Sequence, residues 1–186
     1  MVLSGPTAVG KTTVVRRLRV GHPELWISVS VTTRFPRPGE IDGVHYHFVD
    51  EATFDRMVEA GEFLEWAVVH GRAKYGTPRL PVENALAAGR SCLLEIDLQG
   101  ARQIRESGQD AMFVFLAPPT WDEMVRRLVG RGTEDAAERQ RRLATAKREL
   151  AAEDEFDVTI VNHDVEQVCK ELVTLMSSAA EPDGAA

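Results

Sequence analysis

The 186-residue sequence predicts an α/β fold, in which α-helices cover both faces of a parallel β-sheet. Short apolar segments alternate along the chain with segments whose apolar residues recur at helical spacing. A glycine-bounded loop joins the first apolar segment to the first helical one. Parallel strands need a crossover connection between them, and the helical segments supply it. The length suits one domain with a single hydrophobic core, which still allows a small inserted lobe.

The start of the chain predicts two strands of this sheet with one helix between them. Residues 1–4 form a short apolar strand, and residues 11–20, beyond the glycine-bounded loop, have helical spacing. A His-Pro pair at 22–23 ends this helix, and the alternating residues 26–31 predict the second strand.

Between residues 32 and 81 the character of the chain changes. This segment begins with a turn rich in Pro and Gly at residues 35–39, and a short strand follows at residues 46–49. A helix then begins at Asp50, and an apolar strand spans residues 63–69. The segment therefore predicts an insert in the alternating pattern.

The remainder of the chain returns to alternating helices and strands. Thr120, with Glu123 three residues later, has the spacing of a helix N-terminus, and glycines at 130 and 132 interrupt that helix. The small polar tail at 179–186 is predicted to be disordered. The other predicted elements are helix 82–88, strand 91–97, helix 99–107, strand 112–117, a charged helix at 137–153, strand 158–161 and helix 165–176.

The net charge of −7 and the pI near 5.3 argue against a protein that binds nucleic-acid backbones. An anionic small molecule is still allowed if basic residues cluster, and they do so around Arg34 and Arg37 and between residues 126 and 148. The second cluster equally fits a solvated helix face. Two cysteines, no secretory leader and no apolar run that could span a bilayer predict a cytoplasmic protein without a membrane partner.

A phosphate-binding loop is the clearest motif of the chain, in Gly5-Pro6-Thr7-Ala8-Val9-Gly10-Lys11-Thr12. Glycines let backbone N–H groups turn toward phosphate oxygens, Lys11 reaches the terminal phosphates, and Thr12 can ligate magnesium. A glycine-rich turn with a solvated lysine is the structural alternative. The loop alone leaves kinases, GTPases and motors open. The predicted ATP-binding residues here are Gly5, Pro6, Thr7, Ala8, Val9, Gly10, Lys11, Thr12 and Thr13.

Longer motifs follow this loop along nearly the whole chain. They are Ser28-Val29-Ser30-Val31-Thr32-Thr33-Arg34, Arg37, Pro38-Gly39-Glu40, Gly43, Tyr46-His47-Phe48, Glu62-Phe63-Leu64-Glu65-Trp66, Tyr75-Gly76-Thr77, Glu95-Ile96-Asp97-Leu98-Gln99-Gly100, Gly130-Arg131-Gly132-Thr133 and Val161-Asn162. Together they resemble guanylate kinases. The resemblance implies a phosphate-loop core at 1–31, 82–130 and 155–178, an inserted GMP-binding lobe at 32–81, and a helical lid at 131–154.

The resemblance also implies the reaction. The γ-phosphoryl group of ATP passes to GMP, and to dGMP, which gives ADP and GDP in purine nucleotide metabolism, with Mg²⁺ as cofactor held through Thr12. Because the second pKa of a phosphate group is near 6, the GMP phosphate is largely dianionic at neutral pH and needs no general base.

Four residues match those that hold the GMP phosphate in this family, namely Arg34, Arg37, Tyr46 and Tyr75. The role suits these side chains, because guanidinium groups bind phosphate in a bidentate manner and phenol hydroxyls donate in a fixed direction. Taken singly, a Tyr at such a position is more often a residue at the edge of the core.

Further residues match the guanine site of this family. Glu65 matches the carboxylate that accepts hydrogen bonds from the guanine N1–H and 2-amino groups, a donor pair that adenine lacks. Ser30 and Thr77 match hydroxyls at the guanine O6 edge. An acid that backs the base or the magnesium shell is either Glu95 or Asp97, and the sequence does not decide between them.

The lid and the last strand complete the predicted ATP site. Arg131 and Arg142 match arginines that close on the ATP phosphates, and Asn162 matches the stretch that lines the adenine pocket. The predicted catalytic residues are therefore Lys11, Arg34, Arg131 and Arg142.

Two departures from the family pattern are visible. Ala8 stands where many relatives have Gly, a change that is tolerable if Ala8 keeps an ordinary backbone angle. Segment 70–74 is one residue longer than in many relatives, which leaves the roles of Tyr75 and Thr77 open. The alternative functions are another phosphate-loop kinase and a non-catalytic protein-binding module, although an intact phosphate loop argues against the module. Monomer and dimer both stay open.

Overall fold

The computed structural model describes residues 1–69, 71–129 and 136–178. Three predictions lie outside the described residues: the helix break at glycines 130 and 132, the role of Arg131, and the disordered tail at 179–186. The strands are β1 Val2–Ser4, β2 Trp26–Ile27, β3 Val31–Thr32, β4 His47–Phe48, β5 Phe63–Val69, β6 Ala73–Pro78, β7 Cys92–Glu95, β8 Phe113–Ala117 and β9 Val158–Val161. The helices are α1 Lys11–Gly21, α2 Glu51–Glu59, α3 Arg79–Ala87, α4 Leu98–Glu106, α5 Trp121–Val129, α6 Ala136–Leu150 and α7 Val165–Ser178.

The larger sheet has five parallel strands in the order β2-β7-β1-β8-β9. Val2 packs in a cluster with side chains of α3 and α4, and its neighbour Leu3 packs with side chains of α1 and α7. Since successive residues of a strand face opposite sides, helices cover both faces of this sheet. The predicted fold class is confirmed.

A smaller sheet of four strands, in the order β4-β3-β6-β5, is formed by the chain between residues 31 and 78. β3 pairs parallel with β4 and antiparallel with β6, and β5 and β6 form an antiparallel hairpin. Val31, Phe54 and Phe63 form its buried cluster, in which the two Phe rings stack with their centroids 4.7 Å apart. This sheet therefore has a small hydrophobic core of its own.

The prediction of one strand at residues 26–31 is wrong. Trp26–Ile27 pairs with β7 in the larger sheet, whereas Val31–Thr32 pairs with β4 and β6 in the smaller one. The chain crosses between the two sheets at residues 28–30. An alternating pattern reports which faces of a strand are buried but not which strand is its neighbour.

The region between β5 and α3 also differs from the prediction. The sequence does not predict β6, because Gly76 and Pro78 are residues that strands usually lack. Pairing along β5, from Val69 and Ala73 at the hairpin tip to Phe63 and Pro78 at the far end, forms this strand. Helix α3 begins at Arg79 instead of residue 82. Pro81 is tolerated in its first turn, where a backbone N–H would have no helical partner.

The helix starts predicted at Asp50 and Thr120 are confirmed, and both side chains cap their helices. Thr53 N–H donates to Asp50 Oδ1 at 2.7 Å, and Glu123 N–H donates to Thr120 Oγ1 at 3.2 Å. The other predicted strands and helices are present with ends shifted by a few residues. The carboxyl ends of the parallel strands meet at one edge of the larger sheet, where ligands bind in open α/β folds.

Candidate active site

The loop after β1 requires glycine at both ends of its motif. A Cβ atom on Gly5 would lie 2.3 Å from the carbonyl oxygen of Leu116, and one on Gly10 would lie 2.7 Å from the side-chain nitrogen of Asn162. Both glycines also have positive φ angles, 148° and 108°. Any side chain at either position would clash and strain the backbone.

Ala8, inside this loop, has a φ angle of 68°, so the condition that it keep an ordinary backbone angle is not met. Among the described residues it is the only non-glycine with a positive φ. Ala8 packs against a cluster that includes Met124 and Leu128 of α5 and Ala146 of α6. An L-residue in the left-handed conformation costs about 1–2 kcal/mol, and this packing helps to hold it there.

Lys11 and Thr12 begin α1 and connect the loop to β7. Lys11 Nζ donates to the carbonyl oxygens of Gly5 and Pro6, so the ammonium group lies over the loop. Thr12 Oγ1 donates to Glu95 Oε1 at 2.9 Å. Burial raises the pKa of Glu95, while Lys11 and the hydrogen bond from Thr12 act in the opposite direction. A cation, a hydroxyl and a carboxylate thus meet at one end of the loop.

Three side chains from other elements hold the loop backbone. Asn162 is 4% exposed and donates from Nδ2 to the carbonyl oxygen of Val9 at 2.8 Å. Arg127 of α5 donates to the same oxygen at 3.3 Å, and the N–H of Thr7 donates to Glu149 Oε2 of α6 at 2.8 Å. Sequence reasoning missed Arg127 and Glu149, because both lie in a highly charged helical stretch where spacing alone does not single them out.

A cleft of about 760 Å³ extends from the loop to the smaller sheet. Among the described residues that line it there is no Asp or Glu, and six are basic. They are Lys11, Arg34, Arg37, Arg72, Arg127 and Arg142. The cleft therefore favours a ligand with several negative charges.

Arg34 is held by acidic and aromatic neighbours. Its two terminal nitrogens donate to the two carboxylate oxygens of Glu40 at 2.9 and 3.0 Å, and its Nε donates to the hydroxyl of Tyr75 at 3.1 Å. The guanidinium carbon lies 5.3 Å from the centre of the Tyr46 ring. Although burial lowers it, the hydrogen bonds with Glu40 and Tyr75 raise the pKa of Arg34 overall. Glu40, to which the sequence analysis assigned no role, orients this arginine.

Tyr46 and Tyr75 lie beside each other, with ring centroids 5.9 Å apart in an edge-on arrangement. Burial and the charge of Glu95 raise the pKa of Tyr46, so its hydroxyl stays protonated. Ser30 lines a small cavity of about 70 Å³ together with Thr12, Tyr46 and Glu95. Tyr75 lies on β6, and its hydroxyl is within hydrogen-bonding distance of Arg34.

Glu65 is a buried carboxylate, 5% exposed, on the edge strand β5. Thr77 Oγ1 donates to its Oε1 at 2.5 Å. Burial raises the pKa of Glu65 to about 7; the hydrogen bond from Thr77 opposes this, and the charge of Asp97 adds to it. Asp97 caps α4 by accepting the N–H of Gly100, whereas Glu95 contacts the loop. The two acids that the sequence left as alternatives therefore lie in different surroundings.

Oxygen ligands for a magnesium ion are present at the loop. The hydroxyl of Thr12 and the carboxylate of Glu95 suit Mg²⁺, which usually takes one or two protein ligands and completes its shell with phosphates and water. Among the described residues, no group of three or more His, Cys, Asp or Glu could hold a metal by itself. The donor set thus fits a Mg²⁺ ion that binds together with a nucleotide. No helix in the described part of the chain is long and apolar enough to cross a membrane.

Comparison with known proteins gives one consistent family. Residues 1–179 match the family model described as guanylate kinase. The guanylate kinase of Leifsonia xyli is 62% identical over 182 residues, which cover 98% of this chain and 72% of that protein. The guanylate kinase of Thermobifida fusca is 63% identical over 177 residues, which cover 95% and 90%. The crystal structure of guanylate kinase from Anaplasma phagocytophilum superposes with a TM-score of 0.79 at 33% identity and covers 98% of this chain and 86% of that one.

Proposed function

The chain belongs to the guanylate kinase family, and on that premise we propose that its cleft transfers the γ-phosphoryl group of ATP to GMP, giving ADP and GDP. The observation that carries this proposal is one cationic cleft that joins a phosphate-binding loop to Arg34 and Arg37. Two nucleotides with their phosphates facing each other need such an arrangement, because each phosphate chain repels the other.

On the donor side, the loop binds the ATP phosphates. Lys11 neutralises charge on the terminal phosphates, and its ammonium already lies over the loop. Asn162 acts by holding the carbonyl of Val9, which supports a positioning role beside the adenine pocket that the family resemblance implies. Arg142 and Arg127 line the same cleft and supply further positive charge.

On the acceptor side, Arg34, Arg37, Tyr46 and Tyr75 bind the GMP phosphate. The bidentate pair with Glu40 and the hydrogen bond to Tyr75 fix the plane of the Arg34 guanidinium before the substrate arrives. A preset guanidinium loses little freedom when it binds, so more of the interaction energy serves to align the acceptor oxygen.

Guanine binds at Glu65, with Thr77 and Ser30 at its O6 edge and Asp97 beside the base. Glu65 presents a carboxylate with two acceptor oxygens, which suits the adjacent N1–H and 2-amino donors of guanine. Because Glu65 is buried, a base that lacks these donors leaves a buried acceptor unpaired. This difference favours GMP and dGMP over AMP.

Thr12, with Glu95, would hold Mg²⁺ that binds with ATP, and a bound ion would neutralise charge on the phosphates. The protein aligns the two substrates and places cations around the transferred group, while the GMP phosphate supplies a dianionic nucleophile without a general base. Exclusion of water is the remaining task, since water competes as acceptor. We assign it to closure of the lobe at 32–81 and the lid at 131–154, with Arg131 and Arg142 closing on ATP.

Replacing Lys11 by Met tests the donor site. We expect a folded protein whose turnover falls at least a hundredfold, because the charge on the transferred phosphoryl group is no longer neutralised by Lys11. A coupled assay of ADP release with GMP, dGMP, AMP, CMP and UMP measures both turnover and substrate choice. Lys170→Met, at an exposed position of α7, is the matched control.

A folded Lys11→Met variant that keeps nearly the parent rate would overturn the proposed site. Parent activity on AMP, CMP or UMP equal to that on GMP would overturn the proposed acceptor. We further propose that the protein acts in the cytoplasm and in purine nucleotide metabolism.

A further inference from the structure

Helix α4, which covers one face of the larger sheet, also packs against β5, the edge strand that carries Glu65. The side-chain amide of Gln103 acts here as a neighbouring strand would. Its Oε1 accepts the N–H of Trp66 at 3.1 Å, and its Nε2 donates to the carbonyl oxygen of Trp66 at 2.8 Å. One side chain of α4 thereby fixes the backbone N–H and the carbonyl oxygen of Trp66, the residue after Glu65.

One turn earlier on the same face of α4, Gly100 lies against the Glu65 carboxylate. A Cβ atom on Gly100 would lie 2.2 Å from Glu65 Oε2 and 2.8 Å from its Cδ. Gly100 is part of a regular helix, where glycine costs about 1 kcal/mol relative to alanine. Its backbone does not need glycine, so the space taken by the carboxylate is the reason for the missing side chain.

Glu65 is therefore confined from two sides. Thr77 of β6 donates to one carboxylate oxygen, and the surface of α4 at Gly100 lies against the other. The pairing of β5 with β6 also changes register between Phe63 and Glu65, which makes the direction of this side chain sensitive to what β5 packs against.

We propose that Gly100 and Gln103 are positioning residues that determine guanine specificity by holding the Glu65 carboxylate in place. The proposal rests on the proposed function, in which Glu65 reads guanine. It adds that the geometry of this reading is set by α4, outside the lobe at 32–81. A comparison of GMP with IMP separates this effect from a general loss of activity. The base of IMP is hypoxanthine, which has the N1–H donor but lacks the 2-amino group.

The test is Gly100→Ala, assayed with GMP, IMP and ATP. The added methyl group displaces the carboxylate, so we expect the KM for GMP to rise at least tenfold and the KM for ATP to stay within twofold. The ratio of kcat/KM for GMP to that for IMP should fall at least fivefold, since the 2-amino group loses its acceptor. Gly21→Ala, at the end of α1 with no atom within 4 Å of the added Cβ, is the matched control and should match the parent.

Gln103→Leu keeps the size of the side chain and removes both hydrogen bonds to Trp66. We expect a smaller loss of the same kind, with the GMP to IMP ratio reduced and ATP binding unchanged. This variant also serves if Gly100→Ala does not fold. An unchanged GMP to IMP ratio in a folded variant of either kind would overturn the inference. A parent protein that does not phosphorylate GMP would instead overturn the proposed function.

Discussion

At the scale of single residues, burial makes the ionised form of Glu65 unfavourable in the free protein. Its pKa is raised from 4.5 to about 7, first by burial and also by the charge of Asp97. Each pKa unit corresponds to about 1.4 kcal/mol, so the ionised form is disfavoured on the order of 3 kcal/mol. A guanine base that donates two hydrogen bonds to the carboxylate would offset this cost, which couples substrate binding to proton release.

Glu65→Gln tests this cost through stability. Because the folded-state pKa is raised, the contribution of Glu65 to stability is fully present below pH 4.5 and is lost as the pH rises through about 7. The amide does not titrate, and it can still accept the hydrogen bond from Thr77. We therefore expect the variant to be more stable than the parent at pH 8 by about 1–3 kcal/mol and nearly equal at pH 4.5, measured by urea unfolding.

The same variant should bind GMP less well. Higher stability together with weaker GMP binding would show that the buried acid serves the ligand and not the fold. The exposed Glu83→Gln of α3 is the matched control and should show no such pH dependence. Equal stability of parent and Glu65→Gln at both pH values would contradict the raised pKa.

Ala8 is a second residue whose environment is visible only in the structure. Its φ of 68° suits glycine, so Ala8→Gly should relieve backbone strain and raise the free energy of unfolding by about 0.5–1 kcal/mol. Ala144→Gly, in the middle of α6, should lower it by about 1 kcal/mol, because glycine is unfavourable in a helix. Thermal unfolding of both variants measures this contrast in sign, and two changes of the same sign would argue against strain at Ala8.

At the scale of elements, periodicity predicts helices better than it predicts strand partners. The phosphate loop and α1 follow from local chemistry alone, and so do the caps at Asp50 and Thr120. β6 depends on a hairpin partner and carries Gly76 and Pro78, so no local pattern indicates it. The split of residues 26–31 between two sheets is a long-range property for the same reason.

The site shows a similar division between motif and packing. Residues within long motifs, such as Arg34, Tyr75 and Glu65, could be selected from the sequence. Their supporting contacts could not, because Glu149 and Gln103 act through distant backbone groups. The packing of α4 against β5 and of α6 against the loop brings these contacts together.

The contact between α6 and the loop leads to a prediction about this helix. The N–H of Thr7 donates to Glu149, which ties the end of α6 to the loop backbone at 2.8 Å. A hydrogen bond to a charged acceptor contributes about 1.5–3 kcal/mol, so Glu149→Ala should loosen the loop. We expect turnover to fall about tenfold with little change in the KM for GMP, as measured in the ADP-release assay.

Glu171→Ala on α7 is the matched control for this change, since its carboxylate contacts only Gln167 among the hydrogen bonds of the described residues. Hydrogen exchange at the Thr7 amide gives a second measurement and should become faster in Glu149→Ala alone. Unchanged turnover together with unchanged exchange would show that α6 does not support the loop.

At the scale of the whole molecule, a net charge of −7 coexists with a cleft that has no acidic residue among its described lining. The charged side chains of the described lining are thus basic and give the cleft a local positive potential, although the acids Glu40, Glu95 and Glu149 contact lining residues from outside it. A cleft with low-dielectric walls concentrates such a potential and attracts anions. The negative exterior repels ATP and GMP elsewhere, which leaves the cleft as the favourable region for both substrates.

This separation of charge predicts a strong dependence of substrate binding on salt. At about 0.1 M salt the Debye length is about 10 Å, so raising KCl from 50 to 300 mM should screen the approach of ATP. We expect kcat/KM for ATP to fall several-fold while kcat stays within twofold, because contacts in the closed complex are screened much less. Arg72→Gln, in the cleft at the hairpin tip, should lower kcat/KM at low salt and flatten this dependence. Arg90→Gln, which is exposed and outside the lining, should not. Equal salt dependence for parent, Arg72→Gln and Arg90→Gln would show that the cationic lining acts only after the substrate is bound.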